Sequence, residues 1–285
     1  MRCIVSSASA YPLKPYDLRR RTQLHALPSL PSLVPCLCFG HHTDGGIIMD
    51  IVLIGGSIEA LLLSIELVNE HNISIVELEA EIGLPAHHPG RIVDLKSLDG
   101  FFTDQQQSFL ELKENQDGWG CRWEWVMKHT AAIAARRGVS FLTRTRIRSC
   151  TRHDASYVLE LTSTERTTPT HIVADRVVLM SQPSTAPGGR DHTLLPSTPL
   201  AFPSPQLIEW FGGTVLTTDV RNDVGADLVL KRNDGTTELW WSTTPPWKPP
   251  RGFLEQCRVR LPKDTAKLSL DSVMSRSRDF AADFL

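Results

Sequence analysis

Between Asp50 and Glu77 the chain reads DIVLIGGSIEALLLSIELVNEHNISIVE, and this run restricts the fold more than any other part of the sequence. DIVLI is short, apolar and rich in β-branched residues, as expected of a parallel strand covered on both faces. Gly55 and Gly56 then allow a tight turn, and Ser57 stands where a helix begins. Over Ile58–Asn69 the residues Leu61, Leu62, Ile65, Leu67 and Val68 fall on a wide helical stripe suited to packing on a sheet. His71 and Asn72 end that helix, and Ile73–Glu77 is a second strand closing on an acid.

Strand, glycine turn, helix, strand and terminal carboxylate make the βαβ unit that sets a pyrophosphate on a helix N-terminus and a ribose hydroxyl on the carboxylate. The fold class expected is therefore α/β, Rossmann-like. Glu77 follows Gly55 by 22 residues, near the roughly 20 of the dinucleotide fingerprint. Against G-x-G-x-x-G, Gly55 holds the first place, Ser57 the second and Ala60 the third. Alanine serves in the third, where a small residue lets helix meet strand. Serine in the second departs from the pattern, and Glu59 in the first helical turn would repel a phosphate.

The run VELEAEIGLPAHHPGRI resembles the matching segment of the two-dinucleotide-binding-domain flavoproteins, particularly the geranylgeranyl reductase and aromatic-ring monooxygenase group. There the ribose-binding Glu is followed six residues on by the Gly of an E-I-G element, then by a Pro and a glycine-containing loop. Glu77, Glu81, Ile82, Gly83, Pro85 and Gly90 fall on that pattern. The resemblance implies FAD as cofactor, with Glu77 on its adenosine ribose, the Gly55-Gly56-Ser57 turn and Ala60 at its pyrophosphate, and the loop from Ala86 to Arg91 beside it. It also implies that Arg122, at the start of an amphipathic helix carrying Trp123, Val126, Met127, Thr130, Ile133 and Ala134 on one face, contacts the flavin phosphates. That helix stops at Gly138 and leads into a strand, VSFLTRTRI. ADRVVLM, Ala174 to Met180, resembles the strand that returns to the nucleotide domain.

The chain leaves the family pattern after residue 180. Ser181, Gln182 and Pro183 replace the small-residue turn, and no Gly-Asp dipeptide follows residue 90, although the ending LDSVMSRSRDFAADFL resembles the Ala-rich helix beyond that motif. Residues 184–206, rich in Pro, Ser and Thr, read as a connecting loop. GGTVLTTDV, ADLVLKRNDGTTELWWS and QCRVRL then read as strands, with RNDG as a hairpin turn. The organisation expected is a dinucleotide-binding domain over 49–183, an antiparallel β region over 184–262 on the cofactor or substrate side, and a C-terminal helix over 263–285.

Residues 1–48 hold Pro-Ser-Leu repeats such as LPSLPSLVP, the triplet Arg19–Arg21 and only two acids. No amphipathic period survives that many prolines, and the segment lacks the ordered parts of a secretory signal. Met49, immediately before the first strand, is the expected start, with the preceding residues disordered or an upstream misassignment; a transit peptide also matches their composition. Cysteine usage is that of a reducing compartment, and the expected location is cytoplasmic. Cys36, Cys38, His41 and His42 have spacings too short for zinc, so no metal is expected.

A net charge of −2 offers no long-range field for nucleic acid, and no apolar run is long enough to span a bilayer; the expected partner is a small-molecule substrate. Arg144, Arg146 and Arg148 alternate as one solvated strand face, His87 and His88 read as exposed loop residues, and WWSTTPPWKPPRG as an edge strand ending in a stiff loop. No catalytic residue stands out. Two functional readings remain side by side. One is an FAD-dependent oxidoreductase acting on a small molecule, isoprenoid or aromatic by the resemblance, with NADH or NADPH as electron donor. The other is a catalytically degenerate nucleotide-binding protein, favoured by Ser57 and the missing Gly-Asp.

Overall fold

The computed structural model describes residues 47–82, 87–180, 200–221, 223–245 and 247–285. The extension before residue 47, the Gly83 and Pro85 of the E-I-G loop, the Ser181–Pro183 turn, most of the connecting loop and the Cys36–His42 cluster lie outside these residues.

The chain opens on β1 (Asp50–Ile54), α1 (Ile58–Leu67) and β2 (Asn72–Val76). β1 and β2 run parallel with Ile51 beside Ile73 and Leu53 beside Ile75, so Glu77 stands just past the strand. A small antiparallel sheet follows, from β3 (Arg91–Ile92), β4 (Lys113–Asn115) and β5 (Gly118–Gly120), with the short α2 (Asp104–Ser108) between β3 and β4. α3 (Trp123–Arg136) buries the six residues its period indicated, and Gly138 at φ +104° ends it.

The expected strand VSFLTRTRI divides. β6 (Ser140–Leu142) pairs in parallel with β2, the chain turns at Arg144 (φ +50°), and β7 (Thr145–His153) starts a separate sheet with β8 (Ser156–Ser163) and β9 (His171–Ala174). The turn takes Arg144 out of β7, while Arg146 and Arg148 alternate with the buried Thr145 and Ile147 up to a register shift between Ile147 and Ser149. Arg144 instead pairs with Glu165 at 3.1 Å.

β10 (Arg176–Leu179) returns beside β1, and β11 (Leu200–Ala201) extends the parallel sheet to the order β11-β10-β1-β2-β6. Alternation along β1 explains why the sheet is covered twice. Ile51 and Leu53 enter one core with α1, α3 and the C-terminal helix, whereas Val52 and Ile54 enter a second with Ile147, Leu159 and Leu161 of β7 and β8. The β7–β9 sheet thus occupies the face that helices cover in a doubly wound fold. Leu61 and Leu63 are fully buried, each worth about 1.5–3 kcal/mol.

The remaining strands are β12 (Leu207–Leu216), β13 (Leu228–Lys231), β14 (Thr236–Trp241) and β15 (Glu255–Pro262), ordered β13-β14-β12-β15. The RNDG hairpin joins β13 to β14, with Gly235 at φ +79°. β14 is an interior strand rather than the expected edge, and Trp240 and Trp241 are buried on its opposite faces, in different apolar clusters. α4 (Leu270–Ala281), N-capped by Ser269, lies against α1 and places Leu270, Val273, Met274 and Phe280 in the main core. No helix among the described residues is long and apolar enough to cross a membrane. The architecture is α/β, a Rossmann-like βαβ unit in a parallel sheet with separate antiparallel sheets.

Candidate functional site

The turn after β1 brings together five of the residues singled out by sequence. Gly55 sits at φ +101°, which favours glycine, and its N–H donates to the Val76 carbonyl at 2.9 Å. Glu77 folds back over the turn: one carboxylate oxygen accepts the Gly56 N–H and the other accepts the Glu79 N–H at 3.0 Å. A Cβ on residue 56 would lie 2.9 Å from Glu77 Oε2 and 2.8 Å from Ile82 Cδ1, so glycine is what admits the carboxylate. Ser57, in the fingerprint's second place, is the N-cap of α1 and accepts the Ala60 N–H at 3.3 Å. Ala60 is fully buried at the helix–sheet contact.

Glu59 is not an unopposed charge. Its carboxylate meets Arg276 of α4 at 3.3 Å, so the positive end of the α1 dipole keeps a neutralised neighbour. α4 is fixed there by Asp271, which accepts the Val93 N–H at 2.7 Å and the Asp94 N–H at 3.1 Å, and by an Arg278–Glu66 pair.

Beyond the carboxyl end of β2 a cavity of about 830 Å³ separates the parallel sheet from the β12–β15 sheet. Glu79, Glu81, His87 and His88 border it on one side, with Arg122, Trp123 and Glu124 from the start of α3. Gly212, Arg232, Glu238, Trp240, Glu255 and Cys257 face them from the second sheet. Ligands of open α/β sheets bind in this crevice outside the strand ends.

Glu238 organises the inner wall. It hydrogen-bonds the Arg232 guanidinium, accepts the Trp240 indole N–H at 2.6 Å and takes the Gly90 N–H at 3.3 Å, joining the two sides of the cavity through a contact 148 residues long in sequence. Burial opposes the charge on Arg232, but Glu238 outweighs it and holds the guanidinium above its usual range. Among the described residues Arg232 Nε has no hydrogen-bond partner. Arg122 reaches Glu124 at 2.5 Å and Asp234 at 3.9 Å.

His88 is stacked on Trp123 with ring centroids 4.2 Å apart, not merely exposed in a loop. Its Nδ1 lies 2.9 Å from the Pro89 carbonyl, which can only accept, so Nδ1 carries the proton and Nε2 is the basic nitrogen. Burial pushes its pKa down, against the opposing pull of Glu59, and burial lowers His87 likewise. Burial also raises the Cys257 thiol to about 11 and the Cys121 thiol further, so neither is a thiolate at neutral pH. Among the described residues no group of three or more His, Cys, Asp and Glu could hold a metal ion.

Of the cofactor residues expected from sequence, Gly55, Gly56, Ser57, Ala60 and Glu77 cluster at the turn, and Arg122 lines the neighbouring cavity. Arg91 does not reach it: its guanidinium donates to the Asp117 carbonyl at 2.8 Å and the Thr265 carbonyl at 2.7 Å, anchoring the approach to α4. Sequence reading missed Arg232 and Glu238. Their one local signal is a carboxylate inside the strand TTELWW, two residues before Trp240 and so on its face.

No family model matches the chain, and no curated protein matches it by sequence. Solved structures do match by shape. A geranylgeranyl bacteriochlorophyll reductase-like protein from Thermoplasma acidophilum superposes with a TM-score of 0.51 at 13% identity, over 75% of this chain and 66% of that one. p-Nitrophenol 4-monooxygenase from Pseudomonas putida DLL-E4 gives 0.54 at 11% identity over 82% and 79%. A flavoprotein/dehydrogenase from Cytophaga hutchinsonii gives 0.50 at 14% over 82% and 78%. The chain spans just under two thirds of the first of these structures. At such identities the likeness is one of fold, and that fold is shared with structures described as geranylgeranyl reductase-like, monooxygenase and flavoprotein/dehydrogenase, the group that the motifs around Glu77 resemble.

Proposed function

We propose that the protein is an FAD-dependent oxidoreductase of the cytoplasm that acts on a small molecule, isoprenoid or aromatic, with NADH or NADPH as electron donor. The observation that carries this reading is the adjacency of a βαβ turn ending on Glu77 to a cavity of about 830 Å³ walled by a second sheet. The residues fit a dinucleotide in kind. The N-terminus of α1 would offer backbone donors to a pyrophosphate, Glu77 would accept from ribose hydroxyls in place of the turn N–H groups, and the cavity beside Arg122 would take the flavin ring. When bound, the flavin supplies the hydride or electron transfer. The chain's part is to orient it, to exclude water behind the Arg232–Glu238 wall, and to offer His88 as a neutral proton acceptor. Neighbours of this fold are described as reductase-like and monooxygenase proteins.

The second reading, a nucleotide-binding protein without redox activity, is favoured by one observation: both Glu77 oxygens are already occupied by backbone N–H groups of the turn. One experiment separates the two. Purified protein is scanned for visible absorbance, denatured, and any released flavin identified by chromatography; NADH and NADPH are then compared for anaerobic bleaching. Stoichiometric FAD bleached by either donor is the expected result. A protein that stays colourless after refolding with excess FAD overturns the oxidoreductase reading and leaves the second.

A further inference from the structure

The first turn of α1 carries a charge that opposes a dinucleotide. Glu59 stands beside the backbone donors that would face a pyrophosphate, and a carboxylate there repels one. Its partner Arg276, on α4, lies 217 residues away in sequence and donates to it through Nη2 at 3.3 Å. Each side chain is 21% exposed. The arginine's other contacts are thin. Nη1 lies 3.0 Å from the Ser272 hydroxyl and 3.4 Å from the Lys267 carbonyl, and the enclosed Nε has no partner among the described residues. Nε and Nη2 share one edge of the planar guanidinium, the edge that grips an oxyanion through two parallel bonds. Glu59 engages Nη2 alone. Both charges also act on the imidazole of His88, which lines the cavity, so the pair lies close to the α1 turn and to the cavity together.

From this geometry we infer that Arg276 is the phosphate ligand of the nucleotide site, and that Glu59 is the internal anion that a pyrophosphate displaces from it. A pyrophosphate at the start of α1 takes the Nε–Nη2 edge, and Glu59, already partly exposed, gives it up to solvent. One long bond is exchanged for two charge-assisted ones, and Nε gains an acceptor. Ser57 replaces the glycine that lets the backbone approach a pyrophosphate, and a side-chain cation makes up the lost contact. The inference rests on the nucleotide site proposed for the α1 turn and does not depend on redox activity.

The test is calorimetric titration of the full chain, stripped of any flavin it carries, with ADP and with adenosine. Four proteins are compared: the parent, Glu59→Gln, Glu59→Gln with Arg276→Lys, and Glu59→Gln with Arg276→Gln. Arg276 is replaced only together with Glu59, so no carboxylate is left stranded, and melting curves verify folding. Glu59→Gln is expected to bind ADP about tenfold more tightly than the parent, because the guanidinium no longer has a competing anion. Adding Arg276→Gln should remove that gain or more, and Arg276→Lys, a cation without the fork, should fall between. Adenosine, lacking phosphate, should show the same affinity, or the same lack of it, in all four. Equal ADP binding across the folded variants, weaker binding in Glu59→Gln, or adenosine affinities that follow those of ADP would each overturn the inference. If the double variants do not fold, Glu59→Gln decides alone: tighter ADP binding supports the inference, and equal or weaker binding overturns it. ADP binding that the variants leave unchanged refutes this inference alone, whereas ADP binding to none of the proteins refutes it together with the nucleotide site. The expected order in a protein that never takes up flavin supports the inference and refutes only the redox reading.

Discussion

Gly55 and Gly56 show how differently two adjacent glycines can be required. Gly55 is held at φ +101°, and alanine there is expected to cost about 1–2 kcal/mol through backbone strain. Gly56 needs space, because a Cβ would meet Glu77 and Ile82 at 2.9 and 2.8 Å. Gly56→Ala is expected to push Glu77 off the turn and destabilise the fold by about 1–3 kcal/mol, the cost of a broken buried hydrogen bond. Urea unfolding of the two variants checks both figures, and a Gly56→Ala protein as stable as the parent would show that Glu77 is not held there. The need for glycine was legible in the sequence; its reason at 56 was not, since a carboxylate 21 residues further on is brought back only when the two strands align.

At the scale of elements, α1 and α3 were the most legible features of the chain, both by period and α1 also by its Ser57 cap, whereas α4 was indicated only by a resemblance. The six buried residues of α3 follow from spacing alone. α4 is more demanding, because its mean hydropathy is low and its stability comes from contacts with α1, Val93 and Asp94. Ser269 accepts the Ser272 N–H as its cap, and Ser269→Ala is expected to cost about 1 kcal/mol. Hydrogen exchange should record this as faster exchange across Leu270–Ala281; an unchanged rate there with lower global stability would place the effect elsewhere. The strand from 139 to 147 was misread for a related reason. Its pattern is continuous, but the chain leaves one sheet for another at Arg144, and that break is set by which neighbours are available, not by local propensity.

For the whole molecule, the buried Arg232–Glu238 pair links the β12–β15 sheet to the loop at Gly90. Glu238→Gln leaves a buried guanidinium unpaired and is expected to destabilise the protein by about 3–5 kcal/mol. Adding Arg232→Met removes the unpaired guanidinium while the amide of Glu238→Gln keeps an acceptor for the Trp240 and Gly90 N–H groups, and should recover most of that loss; a thermodynamic cycle over the four proteins measures it. Acid should also weaken the fold. Burial holds the His87 and His88 pKa values below that of a free histidine, so between the two values the unfolded chain binds more protons. Their contribution is intact above the unfolded pKa of about 6.5 and is lost as pH falls through the folded values. Melting temperature should therefore drop from pH 7 to pH 5, and His88→Phe, which keeps a ring against Trp123, should lessen the drop; an identical slope in the variant would remove His88 as a cause.

The sequence by itself determined the βαβ unit, because every part of it is local: two apolar strands, a turn that requires glycine, a capped helix and an acid at the right interval. Alternation and the RNDG turn likewise indicated the antiparallel strands after residue 206. The cavity was decided only by the tertiary structure. Its walls come from residues 79–124 and 212–257, its inner ion pair reaches Gly90 across 148 residues, and the charge of Glu59 is cancelled by an arginine 217 residues away. Such pairings depend on how sheets pack against each other, and local pattern carries no record of that.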